Sequence, residues 1–226
     1  AQTTIDVTNA DKDGKIIKTY NKKAVIPTVV LGPEFEVNVP EISDYTVTYY
    51  DSRNRKLDEA PVNAGRYRYV VKVATTSNYY GAIKTGSIVI NKALAEINVD
   101  DATKVYGSKD PQFTYKVEGM IQDDKLGAVS LSRETGEDVG SYTINARTEG
   151  NSNYEIKINA GELTVTKAQA TIDVTNADED GKITKTYDKK AVIPTVVLGP
   201  EFEVSVPEIT DYTVTVSYTH LRAHET

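Results

Sequence analysis

Apolar and polar side chains alternate with a period of two through most of this chain, the pattern of a strand with one face buried. Tyr67, Tyr69, Val71 and Val73 face one way, with Arg66, Arg68, Val70 and Lys72 facing the other. Tyr45, Val47 and Tyr49 alternate in the same manner with Thr46, Thr48 and Tyr50, and Phe113, Tyr115 and Val117 with Thr114, Lys116 and Glu118. Strands are also predicted at Thr4–Thr8 and Lys15–Tyr20, joined as a hairpin through Asp13-Gly14, because Gly accepts the positive φ that such turns need. Ala24–Leu31 reads as a buried run whose Pro27 suits an edge or a strand start. Later strands are expected at Ile97 and Val99, at Lys104–Gly107, around Leu131, and at Tyr142 with Ile144. Tyr154 with Ile156 and Ile158, then Leu163 with Val165, complete the set. Gly119–Gly127 has room for one short helical turn, and no stretch carries the spacing of a long amphipathic helix. The fold class is therefore all-β, built from tandem small β-sandwich-like domains.

Two repeats of different length organise these strands. A cassette of Gly65-Arg66-Tyr67, Ser77-Asn78-Tyr79 and Gly86–Ala93 recurs 75 residues later as Gly140-Ser141-Tyr142, Ser152-Asn153-Tyr154 and Gly161–Ala168. Gly-x-Tyr is expected to open one core strand, Asn-Tyr the next, and the second Gly the last. Residues 1–48 also align without gaps to 168–215, with 42 identities in 48. The differences are Thr3/Ala170, Lys12/Glu179, Ile17/Thr184, Asn21/Asp188, Asn38/Ser205 and Ser43/Thr210. Four segments follow: a β-domain at 1–93, a second at 94–167, a truncated second copy of the first at 168–215, and a tail at 216–226. Lys92-Ala93 and Lys167-Ala168 leave no Gly/Ser-rich spacer, so neighbouring domains are expected to be held semi-rigidly in a rod-like array. The tail, Val216 to Thr226, resembles one reading frame of a transposase-type sequencing adapter and reads as an assembly artefact.

Composition narrows the function. The chain has no cysteine, which excludes disulfides, thiolate metal sites and a cysteine nucleophile together. A net charge of -7 without a basic patch argues against nucleic acid and anionic lipid as partners. No apolar run is long enough to insert in a membrane. Both histidines, His220 and His224, lie in the tail, so a Ser-His-Asp triad has no base. Nucleophile-elbow and phosphate-loop motifs are likewise missing, and the chain is expected not to be an enzyme. The neighbouring acids Asp100-Asp101, Asp123-Asp124 and Glu137-Asp138 read as surface charge, since glycoside cleavage needs two carboxyls facing each other across a cleft.

One motif points to a metal. Asn9, Asp11 and Asp13, and again Asn176, Asp178 and Asp180, give the alternating oxygen ligands and following Gly of a calcium loop. The closing bidentate Glu is replaced by Tyr20 and Tyr187, so a plain turn is the preferred reading and no cofactor is expected. A Lys–Asn isopeptide crosslink suits a Cys-free extracellular sandwich, although no local motif selects a pair.

Lys104-Val105-Tyr106-Gly107, with Pro111, Gly119, Gly140-Ser141-Tyr142, Asn153-Tyr154 and Gly161–Ala168, makes the second domain resemble an MBG domain of the Tyr-Gly type. The first domain is similar to repeats that accompany such modules in gut-bacterial surface proteins, through Lys18–Asn21, Tyr45–Asp51 and Asn63–Tyr67. It departs from them at Lys22, where Gly often follows Tyr-Asp. The resemblance implies a non-catalytic, extracellular, cell-surface or secreted repeat module, serving as stalk or spacer and as an adhesin towards host glycoprotein, glycan or matrix. The alternative it implies is an accessory spacer or glycan-binding region of a secreted carbohydrate-active enzyme. Neighbouring repeats of the same chain are its nearest partners. Because residues 168–215 lack a counterpart of 49–93, limited proteolysis is expected to trim the chain to near Lys167 and spare the first two domains. Equal resistance along all 226 residues would contradict that expectation.

Overall fold

A computed structural model of the protein describes residues 3–33, 44–186, 190 and 192–200. Among these residues every regular element is a strand and none is a helix. The tail at 216–226 with its two histidines, Tyr187, and the second copy beyond residue 200 lie outside the described residues. In chain order the strands are β1 (Thr3–Val7), β2 (Lys15–Thr19), β3 (Val29–Pro33), β4 (Tyr45–Tyr50), β5 (Lys56–Leu57), β6 (Gly65–Val73), β7 (Ala82–Asn91) and β8 (Ala93–Val99). They continue as β9 (Ala102–Val105), β10 (Tyr115–Glu118), β11 (Val129–Arg133), β12 (Gly140–Thr148), β13 (Tyr154–Asn159), β14 (Gly161–Thr166), β15 (Ala170–Val174) and β16 (Val196–Pro200). By contact the chain divides into two units: Ala1–Asp100 with Thr114–Ser132 and Ile144–Gly161, and Asp101–Phe113 with Arg133–Thr143 and Glu162–Thr226.

The first unit holds a five-stranded sheet of order β2-β7-β6-β4-β5, the antiparallel pair β1-β3, and a three-stranded sheet of order β10-β8-β13. Its core follows the alternation in the sequence: Tyr69, Val71 and Val73 of β6 are buried while Arg66 and Lys72 are exposed. Ile16, Ile88, Ile90 and Tyr49 complete that layer, with Val7 of β1 and Val25 beneath it. Around β8, Ala93, Ala95, Ile97 and Val99 alternate inward. In the second unit, β9 pairs with β14 in parallel, Leu163 opposite Ala102, and Leu163 and Val165 are buried. Strand β15 pairs with β16 in the same unit.

Three expectations are corrected by this topology. The Asp13-Gly14 turn does not close a hairpin: β1 pairs with β3, whereas β2 lies parallel to β7 in the other sheet. Asp11 Oδ1 accepts from the backbone N–H groups of Asp13 and Lys15, so the loop turns locally while its two strands part. Ala24–Leu31 is not a continuous buried run either. Val25 and Pro27 are buried, Ile26 and Val30 are exposed, and the strand begins only at Val29. Finally, Asn-Tyr opens a strand in only one cassette: Tyr154 begins β13, but Asn78-Tyr79 precedes a single ten-residue strand, β7. Gly119–Gly127 forms a turn, with the Asp124 N–H donating to the Ile121 carbonyl.

The second copy repeats the first pair of strands in the same register, Ala170 opposite Pro200 as Thr3 is opposite Pro33. Its apolar positions nonetheless stay open. Val192 is 48% exposed where its identical counterpart Val25 is 8%, and Ile172 is 71% exposed. Residues 182–186, which correspond to β2, form no strand.

Gly86 explains how β7 passes so close to the turn. A Cβ there would collide with the Gly14 carbonyl oxygen and the Tyr69 ring, while Gly14 accepts from the Ser87 N–H and the Tyr69 hydroxyl. Gly86→Ala is expected to destabilise the protein by roughly 3 kcal/mol, the scale of severe overpacking. Gly140→Ala, whose Cβ meets nothing within 4 Å, should change stability by less than about 0.5 kcal/mol in urea unfolding.

Candidate functional site

Four of the six calcium-loop side chains, those of Asn9, Asp11, Asn176 and Asp178, are committed to backbone turns. Asn9 Nδ2 donates to the Ile26 carbonyl at 2.8 Å, and its Oδ1 accepts from the Thr28 N–H at 2.8 Å. Asn176 does the same with Ile193 and Thr195, both at 2.9 Å. Asp11 Oδ1 receives two N–H groups, and Asp178 Oδ1 receives the Lys182 N–H at 2.7 Å. Asp13 and Asp180 are exposed. No group of three acidic, His or Cys side chains converges among the described residues. These six positions thus form two equivalent Asx-stapled loops.

Two charged clusters were not apparent from the sequence. In the second unit, Lys104 of the Lys-Val-Tyr-Gly motif is only 6% exposed. Its Nζ reaches Asp110 Oδ1 at 2.7 Å and also meets Glu137. Arg133 grips the same Asp110 through Nε at 2.6 Å and Nη2 at 3.1 Å, bonds Glu137 at 2.5 Å, and donates to the Glu134 and Gly136 carbonyls. Two cations and two anions therefore clamp the 106–111 loop to the 133–140 loop. The clamp also bears on an isopeptide bond. The buried lysine faces carboxylates instead of an asparagine amide, and Arg133 at Asp110 and Lys104 at Glu137 hold those carboxylates ionised, the form that resists amide formation. Glu137 is thus removed from the set of idle surface charges.

Hydrogen bonds from Arg133 and then Lys104 bring the Asp110 pKa down to about 2. Burial alone would lower the Lys104 pKa, but bonds to Asp110 and Glu137 raise it on balance.

The other cluster, within the first unit, joins residues 3–91 to the segment that follows them. Only Lys92 separates β7 from β8. Ala93 N–H donates to the Asn153 carbonyl, Ala64 N–H donates to Asn153 Oδ1 at 2.8 Å, and Asn153 Nδ2 donates to Asn63 Oδ1 at 3.1 Å. Beside them Asp124, its side chain 11% exposed, collects three donors. The hydroxyls of Tyr20 and Tyr154 reach Oδ2 at 3.0 and 2.6 Å, and Lys22 Nζ lies 2.8 Å from Oδ1. Lys22 also donates to the Gln122 carbonyl, Tyr154 accepts from the Ile121 N–H, and the Tyr20 and Tyr154 rings meet edge to face at 5.6 Å. Asp124 is therefore a hub; its neighbour Asp123 is exposed. The Lys22 hydrogen bond is the main cause that lowers the Asp124 pKa, and burial, reinforced by Asp124, pushes Tyr154 up to about 12. Lys22 holds φ at 63°, a left-handed value that glycine adopts freely.

Residues 95–164 match the family model of the MBG domain (YGX type). The likeness seen in the Tyr-Gly motif and the cassette thus holds for that segment, under a third of the chain. No curated protein matches the chain. Among solved structures it is similar to the fibronectin(III)-like modules of CbhA from Clostridium thermocellum, at 10% identity, over 73% of this chain and 94% of that one. The TM-score is 0.28, too slight a likeness to bear on fold or function.

The Asp110 clamp makes an acid prediction. A carboxyl whose folded pKa lies below its unfolded value of about 3.8 adds stability that is fully present above that value. That stability is lost as the pH falls through 3.8 towards 2. Lys104→Met should cost about 1–2 kcal/mol at pH 7, since Arg133 still neutralises the half-exposed acids. Its deficit should shrink in urea unfolding below pH 3.

Proposed function

We propose that this chain is a non-catalytic extracellular repeat module, a stalk or spacer of a bacterial surface or secreted protein. One observation carries the reading: β7 ends at Asn91 and the next segment's first strand starts at Ala93, with side chains from both sides interlocked at that step. A run of domains joined by one residue transmits position, as a spacer must. The MBG-type segment, the repeated copy and the absence of cysteine support the same reading. Both charged clusters spend their ionic groups on one another, which suits mechanical support more than turnover. Adhesion would add a ligand to this scaffold, and an enzyme-accessory role would add a catalytic neighbour. The spacer reading needs neither.

The full chain applied to a glycan and matrix-protein array is expected to show no saturable retention. Saturable binding at micromolar concentration would replace the spacer with an adhesin or a glycan-binding module.

A further inference from the structure

The single-residue connection does not by itself make the joint stiff, because Lys92 still offers two soft dihedrals, φ and ψ. Stiffness must come from side chains that cross the step. The ionisable ones among them converge on one carboxylate. Asp124 takes a phenol and an ammonium from the 3–91 side, Tyr20 and Lys22, and a second phenol, Tyr154, from its own side. Its partners stand 102 and 104 residues away on one side and 30 on the other, so the contact is made only when both segments are folded and aligned.

Lys22 is the telling residue. A left-handed φ of 63° is disfavoured for any side chain with a Cβ, and glycine would adopt it freely. Strain of this kind persists where the surroundings need the side chain. What Lys22 supplies there is its ammonium, placed between Asp124 and the Gln122 carbonyl. The Asn63–Asn153 contact flanks the hub with neutral hydrogen bonds that carry no ionisable group.

We propose that Asp124, with Lys22, Tyr20 and Tyr154, is an acid-releasable latch that fixes the angle between the 3–91 segment and the segment that follows it. The latch deepens the spacer reading and rests on it. The titratable and charged groups facing Asp124 are Lys22 and Tyr20 from the first segment, Tyr154 from β13, and the adjacent Asp123, which acts on Lys22. The sign follows from the paired carboxylate. Its contribution is complete above the ordinary aspartate range and is lost as the pH falls through the lowered folded value, so the latch opens only in acid below that ordinary range. Protonation removes the attraction for Lys22 and turns an acceptor for two phenols into a competing donor.

The test uses the full chain, whose lack of cysteine lets two spin labels be placed without background. Ser52→Cys and Ser130→Cys put one label on an exposed position in each segment. At pH 7 the parent should give one narrow distance distribution, broadening at least twofold once the pH is well below the ordinary aspartate range, while far-ultraviolet circular dichroism is kept. Asp124→Ala should be broad at both pH values. Lys22→Gly should also broaden the distribution at pH 7, yet leave the thermal midpoint unchanged or higher, because it relieves the backbone. That pairing separates a loosened joint from a damaged fold. Narrow distributions in both variants at pH 7 would overturn the latch and leave the spacer standing. A parent that stays narrow in acid, or that unfolds before it broadens, would remove acid release. A parent already broad at pH 7 would remove the stiff spacer together with the latch.

Discussion

Each repeat is closed by a parallel pairing between an early strand and its last one. Strand β2 runs beside β7, Lys15 opposite Ser87, and β9 runs beside β14, Thr166 opposite Val105. Parallel neighbours cannot be joined by a tight turn, so the rest of each repeat must be threaded between them. The closing contact is therefore long in sequence, and no part of a repeat can complete its core without the far end. Residues 170–200 show the consequence. They reproduce the β1–β3 register as β15–β16, but Val192 and Ile172 stay open because no last strand lies beside them among the described residues.

The same pairing determines where a repeat hands over to the next. Because β2 and β7 point the same way, the residue after β2 arrives beside the end of β7, and the Tyr20 N–H donates to the Asn91 carbonyl. In the following repeat the Tyr106 N–H donates to the Thr166 carbonyl in the same way. The tyrosine of the Lys-x-Tyr motif is thus a threshold residue. Tyr20 is buried, since Tyr154 and Asp124 cover it, whereas Tyr106 at the equivalent step is half-buried. Fold closure and the joint are two outcomes of one strand pairing.

Alternation in the sequence located β6, β8 and β14 well, because in each a single residue period reports which face meets the core, whereas Tyr45 of β4 stays exposed. Partner choice was less legible. Asp13-Gly14 carries sound turn chemistry, but turn chemistry is local and says nothing of which sheet each arm joins; here the arms separate. The clusters were hidden for a related reason. Asp123-Asp124 and Glu137-Asp138 look alike as acid pairs, and only the fold brings Lys22 to one and Lys104 to the other. Lys104 did leave a trace, a lysine where a strand pattern calls for an inward side chain. Lys22 left another only through the resemblance of its segment, which implies Gly at that position. Within the calcium-like spacing, Asn9 and Asp11 cap N–H groups in a loop that crosses between sheets, while Asp13 stays exposed.

Why a carboxylate is used at the joint follows from what each alternative would lack. Apolar side chains at Tyr20, Asp124 and Tyr154 would bury comparable area, and replacing buried ionic groups that way is often neutral or stabilising. They would also tolerate sliding, because dispersion is non-directional. A carboxylate has lone pairs in fixed directions, and two phenols and one ammonium satisfy it in one arrangement. Lys22 remains partly exposed to water, and such pairs contribute little net stability. Its disfavoured φ works against stability as well. Neither cost is offset by much attraction, so the cluster's gain is in geometry: the two segments meet at one angle, and a departure from it leaves a desolvated carboxylate short of donors.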